Sequence, residues 1–191
     1  MVVPLCRVGG TGVGHWGKGS CISGQMQRGA PVWNGKLMDI GDLLPSDRII
    51  PALKAKSKKQ ALQELSQRAA ELTGLQARDV FETLLQRERL GSTGLGRGIA
   101  IPHVKFPNLK GIVCLFARLE EPIDFDSLDG EPVDLIFLLL APEHASGDHL
   151  KALARLSRLL REPNVLERLR SASDRAALHS VLSEPVASHA A

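Results

Sequence analysis

The chain has 191 residues, 43% of them hydrophobic and 24% charged, which suits one globular domain with a full core and room for an appendage. The formal net charge is +3, but residues 1–38 hold Arg7, Lys18, Arg28 and Lys36 and no acid; the remainder has 20 basic against 21 acidic residues, without the basic excess of a nucleic-acid binder. No apolar run reaches membrane-span length, and Cys6, Cys21 and Cys114 contain no C-x-x-C pair, which excludes a disulfide framework or zinc ribbon and fits a reducing cytoplasm.

Residues 1–37 hold nine of the 18 glycines and show neither helical nor strand periodicity. Such a segment buries too little apolar surface to offset the entropy of ordering, so it is expected to be a disordered extension. It lacks the apolar core of a secretory signal. Met38 reads as the natural start, an expectation that an intact-mass measurement of a native chain beginning at Met1 would overturn. GVGHWGKG at 12–19 approaches a P-loop, but Gly19 replaces the Ser/Thr, and Gly24, Gly29 and Pro31 deny it the helix a phosphate needs.

From Met38 the pattern becomes regular, and one folded domain is expected over 38–185. SKKQ at 57–60 has the form of a capping box and opens a helix whose apolar face is Leu62, Leu65, Ala69 and Leu72, stopped by Gly74. A second helix is expected from Arg78 to Arg89, burying Val80, Phe81, Leu84 and Leu85. IAI at 99–101 reads as a short strand that Pro102 ends, leaving His103 at its lip. GIVCLFARL and VDLIFLLL read as longer strands, the second apolar on both faces and therefore central. A buried, inert thiol is expected at Cys114. GDHLKALARLSRLL is an amphipathic helix expected to turn Leu150, Leu153, Leu156 and Leu160 inward, broken by Pro163. Short helices follow near 164–170 and 173–182, and residues 186–191 are expected to fray. Helices, then strands, then helices give a three-layer α/β/α sandwich with a mixed sheet.

The chemistry concentrates in GSTGLGRGIAIPHVKF, residues 91–106. Glycines let backbone amides approach an anion closely. Ser92 and Thr93 add hydroxyls, and Arg87 adds a guanidinium suited to a phosphoryl group. An imidazole among such groups can act as a nucleophile near neutral pH. Taken alone, a histidine at a strand end is ordinarily a polar surface residue, and a glycine-rich turn is common.

The segment resembles the active-site signature of the phosphotransferase-system (PTS) enzyme IIA proteins of the fructose/mannitol and nitrogen-regulatory class. The matching residues are Arg87-Glu88, Ser92-Thr93, Gly94, Gly96 and the run Gly98-Ile99-Ala100-Ile101-Pro102-His103. The likeness extends from Met38 to about Ser183, includes His149-Leu150, and with RERLGSTG and MDIGDLLPSDRII is nearest the nitrogen-regulatory branch. It implies a phosphocarrier that takes a phosphoryl group from an HPr-like protein onto His103, supported by His149, with Arg87, Ser92 and Thr93 lining the pocket. It implies regulated target proteins, such as kinases or ion-transport regulators, as partners. Transfer between two histidines calls for no metal and no cofactor. The departure is Val104, where the family usually has glycine. If that glycine serves positive φ or close partner approach, the valine slows the site or reshapes it.

Three other readings stand beside this one. His103, His144 and His149 as a metal site lack the spacing of a zinc enzyme, and His144 reads as a solvated loop residue. A sugar-uptake IIA would hand its phosphoryl group to a IIB protein. An interaction module would regulate partners without being phosphorylated.

Overall fold

The computed structural model describes residues 40–184. The expected N-terminal extension, its P-loop-like run, the Met38 start and the closing tail lie outside the described residues. In chain order the elements are α1 (Ile40–Leu43), a 3-10 turn (Ser46–Arg48), β1 (Ile49–Leu53), α2 (Lys58–Thr73), α3 (Ala77–Arg89), β2 (Gly94–Gly96), β3 (Ile99–Ala100), β4 (His103–Phe106), β5 (Val113–Ile123), β6 (Val133–Pro142), α4 (Ser146–Leu159), α5 (Pro163–Ser171) and α6 (Arg175–Ser183).

The strands form one mixed sheet in the order β1-β5-β6-β3-β2, with β4 also pairing β6. β5 and β6 run antiparallel, while β1 on β5 and β3 and β4 on β6 are parallel. β6 is central and buried on both faces, as its unbroken apolar run requires. One face packs Leu62, Leu65 and Ala69 of α2 and Val80 and Leu84 of α3 against Leu115, Ala117, Ile136 and Leu138. The other packs α1 and α4 to α6 against Phe116, Phe137, Leu135 and Leu139. This is the α/β/α sandwich with a mixed sheet.

The helix boundaries follow from local chemistry. Ser57 caps α2 by accepting from the Gln60 amide at 3.3 Å, and Gly74 ends it at φ 75°. The reciprocal half of the expected capping box is displaced by one residue: Gln60 Oε1 accepts from the Lys56 amide.

Three sequence expectations need correction. β1, IIPAL, was not anticipated, because Pro51 falls inside it; proline is tolerated on this edge strand, which among the described residues pairs only β5. The pairing with β6 does not end at Pro102: β3 stops at Ala100, but a further short strand, β4, opens at His103. Ile99 faces Leu135 and His103 faces Leu139, the same offset, so the chain resumes along β6 in register as far as Phe106. Pro102 removes one ladder donor but keeps the register, and its carbonyl accepts from the Leu139 amide at 2.9 Å. In α4, Leu153, Leu156 and Leu160 pack inward as expected, together with His149, Ala152 and Leu159, but Leu150 is 65% exposed.

Candidate functional site

Among the described residues β4 pairs β6 and no other strand, and its other side opens between the C-terminal half of α3 and the first turns of α4. The resulting open groove has a volume of about 850 Å³ and is walled by Arg87, Leu90, His103, Lys105, His149 and Leu150, among others.

His103 is partly exposed in this groove. Its Nδ1 lies 2.8 Å from the carbonyl oxygen of Ile101. A carbonyl oxygen only accepts, so Nδ1 carries the ring proton and Nε2 carries the lone pair. The ring is therefore held in the tautomer that leaves Nε2 nucleophilic.

His149 occupies the first turn of α4, its amide donating to the Ala145 carbonyl at 3.0 Å. The side chain is 6% exposed, and its ring centroid lies 5.6 Å from that of His103 with the planes inclined by 47°. Its Nε2 is buried without a hydrogen-bond partner among the described residues. Burial, followed by repulsion from the charge that His103 can carry and from Lys105, holds its pKa below the ordinary 6.5. It enters the groove as a neutral imidazole at physiological pH, able to donate to or accept from a group placed beside His103.

Arg87, in the last turn of α3, lines the groove and donates from Nη1 to the Gly91 carbonyl at 2.9 Å. The structure brings it together with His103 and His149. It does not bring in Ser92 or Thr93. The Ser92 hydroxyl donates to the Phe125 carbonyl at 2.8 Å and accepts from the Gly94 amide. The buried Thr93 hydroxyl donates to the Glu88 carboxylate. Both hydroxyls are spent on the local fold, and neither residue lines the groove.

The glycines are likewise not a cradle for an anion in this groove. β2 and β3 form a hairpin whose turn residues Arg97 and Gly98 have φ 58° and 77°, the mirror-image geometry that suits tight hairpins. A Cβ on Gly94 would lie 2.6 Å from the Ser127 hydroxyl, so glycine there permits close packing against the 127–129 segment. His144 is exposed, as its loop position suggested.

Lys105 and Leu90 wall the groove without having been singled out in the sequence, whereas Glu88 figured only within the signature and Leu150 only as a core position and beside His149. Lys105 shares the His103 side of β4 by simple alternation, a signal present in the sequence. Glu88 follows Val80 and Leu84 at fourfold spacing and is buried with them. Leu90 and Leu150 are 87% and 65% exposed on the groove wall, a pair of apolar side chains offered to a docking partner.

Among the described residues no helix is long and apolar enough to cross a membrane. Residues 42–184 match the family model described as phosphoenolpyruvate-dependent sugar phosphotransferase system, EIIA 2. A nitrogen regulatory protein of Bradyrhizobium diazoefficiens is 60% identical over 153 residues, covering 80% of this chain and 100% of that protein. The crystal structure of nitrogen regulatory protein IIA-Ntr from Neisseria meningitidis superposes with a TM-score of 0.72 at 40% identity, over 75% of this chain and 98% of that one. IIA mannitol from Escherichia coli shares the fold, with a TM-score of 0.62 at 21% identity over 72% of this chain and 96% of that one.

Proposed function

This chain belongs to the EIIA 2 family of the phosphoenolpyruvate-dependent sugar phosphotransferase system, and we propose that it is a phosphocarrier whose acceptor is Nε2 of His103. The donor is a phosphohistidine on an HPr-like protein, and the output is regulation of partner proteins according to phosphorylation state. The single observation carrying this reading is the His103 ring itself. Its Nδ1–H is fixed on Ile101, its lone pair is on Nε2, and a buried, neutral His149 stands 5.6 Å away in the same groove.

In the proposed step the Nε2 lone pair forms a new N–P bond as the donor's N–P bond breaks. The electron pair of the broken bond stays on the donor ring. The proton stays on Nδ1 of His103 and is donated to the Ile101 carbonyl, whose oxygen stabilises positive charge developing in the ring. Phosphoryl transfer has a loose transition state, so positioning and charge compensation carry most of the catalysis. Arg87 and Lys105 supply cationic charge, and His149 supplies a hydrogen-bonding nitrogen. We assign the regulatory rather than the sugar-uptake role because a nitrogen regulatory protein matches at 60% identity over its full length. A phosphoryl dianion on His103 would offset much of the positive charge of the groove face and so alter which partner docks there. Its setting is the cytoplasm, where such donors act.

The test is phosphorylation by a reconstituted mixture of phosphoenolpyruvate, enzyme I and an HPr-type protein. One acid-labile phosphoryl group is expected on the wild type and none on His103→Ala. His149→Ala is expected to react about a hundredfold more slowly, the usual cost of losing one preorganised donor. A phosphoryl group retained by His103→Ala would overturn the assignment.

A further inference from the structure

We propose that Glu88 is a positioning residue for His103, setting the orientation and tautomer of the imidazole through Thr93 and Ile101. The inference rests on the phosphocarrier reading above and names a residue outside the groove.

Glu88 lies in the last turn of α3 with its side chain 3% exposed. Its Oε2 is 2.7 Å from Lys58 Nζ and accepts from the Thr93 amide at 3.2 Å. Its Oε1 accepts from the Thr93 hydroxyl. Lys58, at the start of α2, donates further to the Phe125 carbonyl and to Asp126 Oδ2, both at 3.2 Å. A buried ion pair of this kind is weak evidence for stability, since apolar replacements commonly match it. Its use is geometric, because it fixes where Thr93 must sit.

From Thr93 the linkage runs to the ring in two bonds. The Thr93 carbonyl accepts from the Ile101 amide at 3.0 Å. The Ile101 carbonyl accepts from His103 Nδ1 at 2.8 Å. Thr93 is thus held by Glu88 at its amide and hydroxyl, and itself holds the peptide segment that selects the histidine tautomer. The same helix end governs Arg87: the Gly91 amide donates to the Glu88 carbonyl at 3.2 Å, and the Gly91 carbonyl takes Arg87 Nη1 at 2.9 Å. The Glu88 carboxylate therefore sits behind the acceptor ring, while the link to the groove arginine runs through the Glu88 main chain. The carboxylate touches neither the donor nor the phosphoryl group.

The test compares wild type with Glu88→Gln, Thr93→Val and Thr93→Ser. Three properties are read: phosphorylation rate with the reconstituted donor, His103 tautomer populations from side-chain ¹⁵N shifts, and thermal unfolding. Glu88→Gln and Thr93→Val are expected to slow phosphorylation at least about tenfold, as small misplacements of reacting groups do. Both are expected to shift His103 toward a mixture of tautomers. Thr93→Ser keeps the hydroxyl and is expected to match wild type in both. If Glu88→Gln fails to fold, Thr93→Val, near in shape to threonine, decides. A folded Thr93→Val or Glu88→Gln with wild-type rate and wild-type tautomer overturns the proposal. If the wild type accepts no phosphoryl group, the phosphocarrier reading fails, while the tautomer measurement needs no donor and still decides the role of Glu88.

Discussion

The rings of His103, on a strand, and His149, on a helix 46 positions along the chain, lie 5.6 Å apart, and the surroundings of His149 lower its pKa. Burial and the neighbouring positive charges disfavour its protonated form, so its folded pKa lies below 6.5. Between that folded value and 6.5 the unfolded chain binds more protons than the native one, so stability rises with pH across the window. Acidification from neutrality is thus expected to destabilise the wild type as pH falls below 6.5. Urea denaturation at pH 7.5 and at pH 5.5 checks this, and His149→Gln is expected to remove part of the slope. An equal slope in that variant would place the titration elsewhere.

Leu150 projects from the groove wall at 65% exposure, where the sequence pattern placed it in the core. Truncating it costs little folding energy, because exposed side chains gain little from burial. Leu150→Asp is expected to shift stability by under about 0.5 kcal/mol. The same change is expected to weaken productive docking of a phosphorylated donor, so that half-maximal rate requires more donor while the maximal rate holds. Steady-state phosphorylation against donor concentration separates the two parameters.

How far these features were legible depended on how local their causes were. α2 was readable because Ser57, its apolar stripe and Gly74 each act within a turn, and β6 because the successive residues from Leu135 to Pro142 are compatible with burial on both faces. β1 and β4 were hidden by Pro51 and Pro102, since a proline signals termination locally while the neighbouring strand decides whether pairing continues. His103 and His149 were singled out through family resemblance, and their rings lie 5.6 Å apart in the fold. Ser92 and Thr93 were expected in the pocket on the same resemblance and lie off the groove wall. Their hydroxyls instead meet Phe125 and Glu88, contacts fixed by the packing of α3 against the 125–126 segment. Glu88 left a readable sign, a charge in a buried helical stripe, without any sign of its partner Lys58.

Val104 departs from the glycine usual at this position, yet its place in β4 explains the residue. It faces Leu140 in the ladder, is 6% exposed, and is absent from the positive-φ positions of the described residues. A β-branched side chain suits an extended strand and fills the α2–α3 side of the core. Val104→Gly is therefore expected to lose about 2 kcal/mol through unburied apolar area and added chain entropy. Phosphorylation is expected to be no faster. A rate gain in the glycine variant would show that the valine obstructs the partner.

Cys114 sits on β5 with no exposed surface, and burial pushes its thiol up to about 12. The thiolate is the reactive form, so the native protein should resist a disulfide reagent at pH 8. In a Cys6→Ser/Cys21→Ser variant, no thiol is expected to react under native conditions and one is expected to react in denaturant. Rapid native modification would mean that β5 opens locally.

Arg118 reaches from β5 to close the end of α5. Its Nε donates to the Pro51 carbonyl at 3.0 Å, and its Nη1 to the Arg170 carbonyl at 2.9 Å and to the carbonyl of Ala172. These acceptors are terminal carbonyls of a helix and a carbonyl of an edge strand, groups with few alternative partners. The planar fork serves several of them together, a geometry that a lysine ammonium cannot reproduce. Arg118→Met is expected to cost about 3 kcal/mol, since each lost bond to a charged donor is worth about 1.5–3 kcal/mol before relaxation and rehydration recover part. Arg118→Lys is expected to recover less than half of that loss. Arg118 is absent from the groove wall, so both variants should phosphorylate at the wild-type rate below their unfolding transitions. Denaturant midpoints paired with phosphorylation rates test both halves. A slowed but fully folded Arg118→Met would couple this buckle to the site.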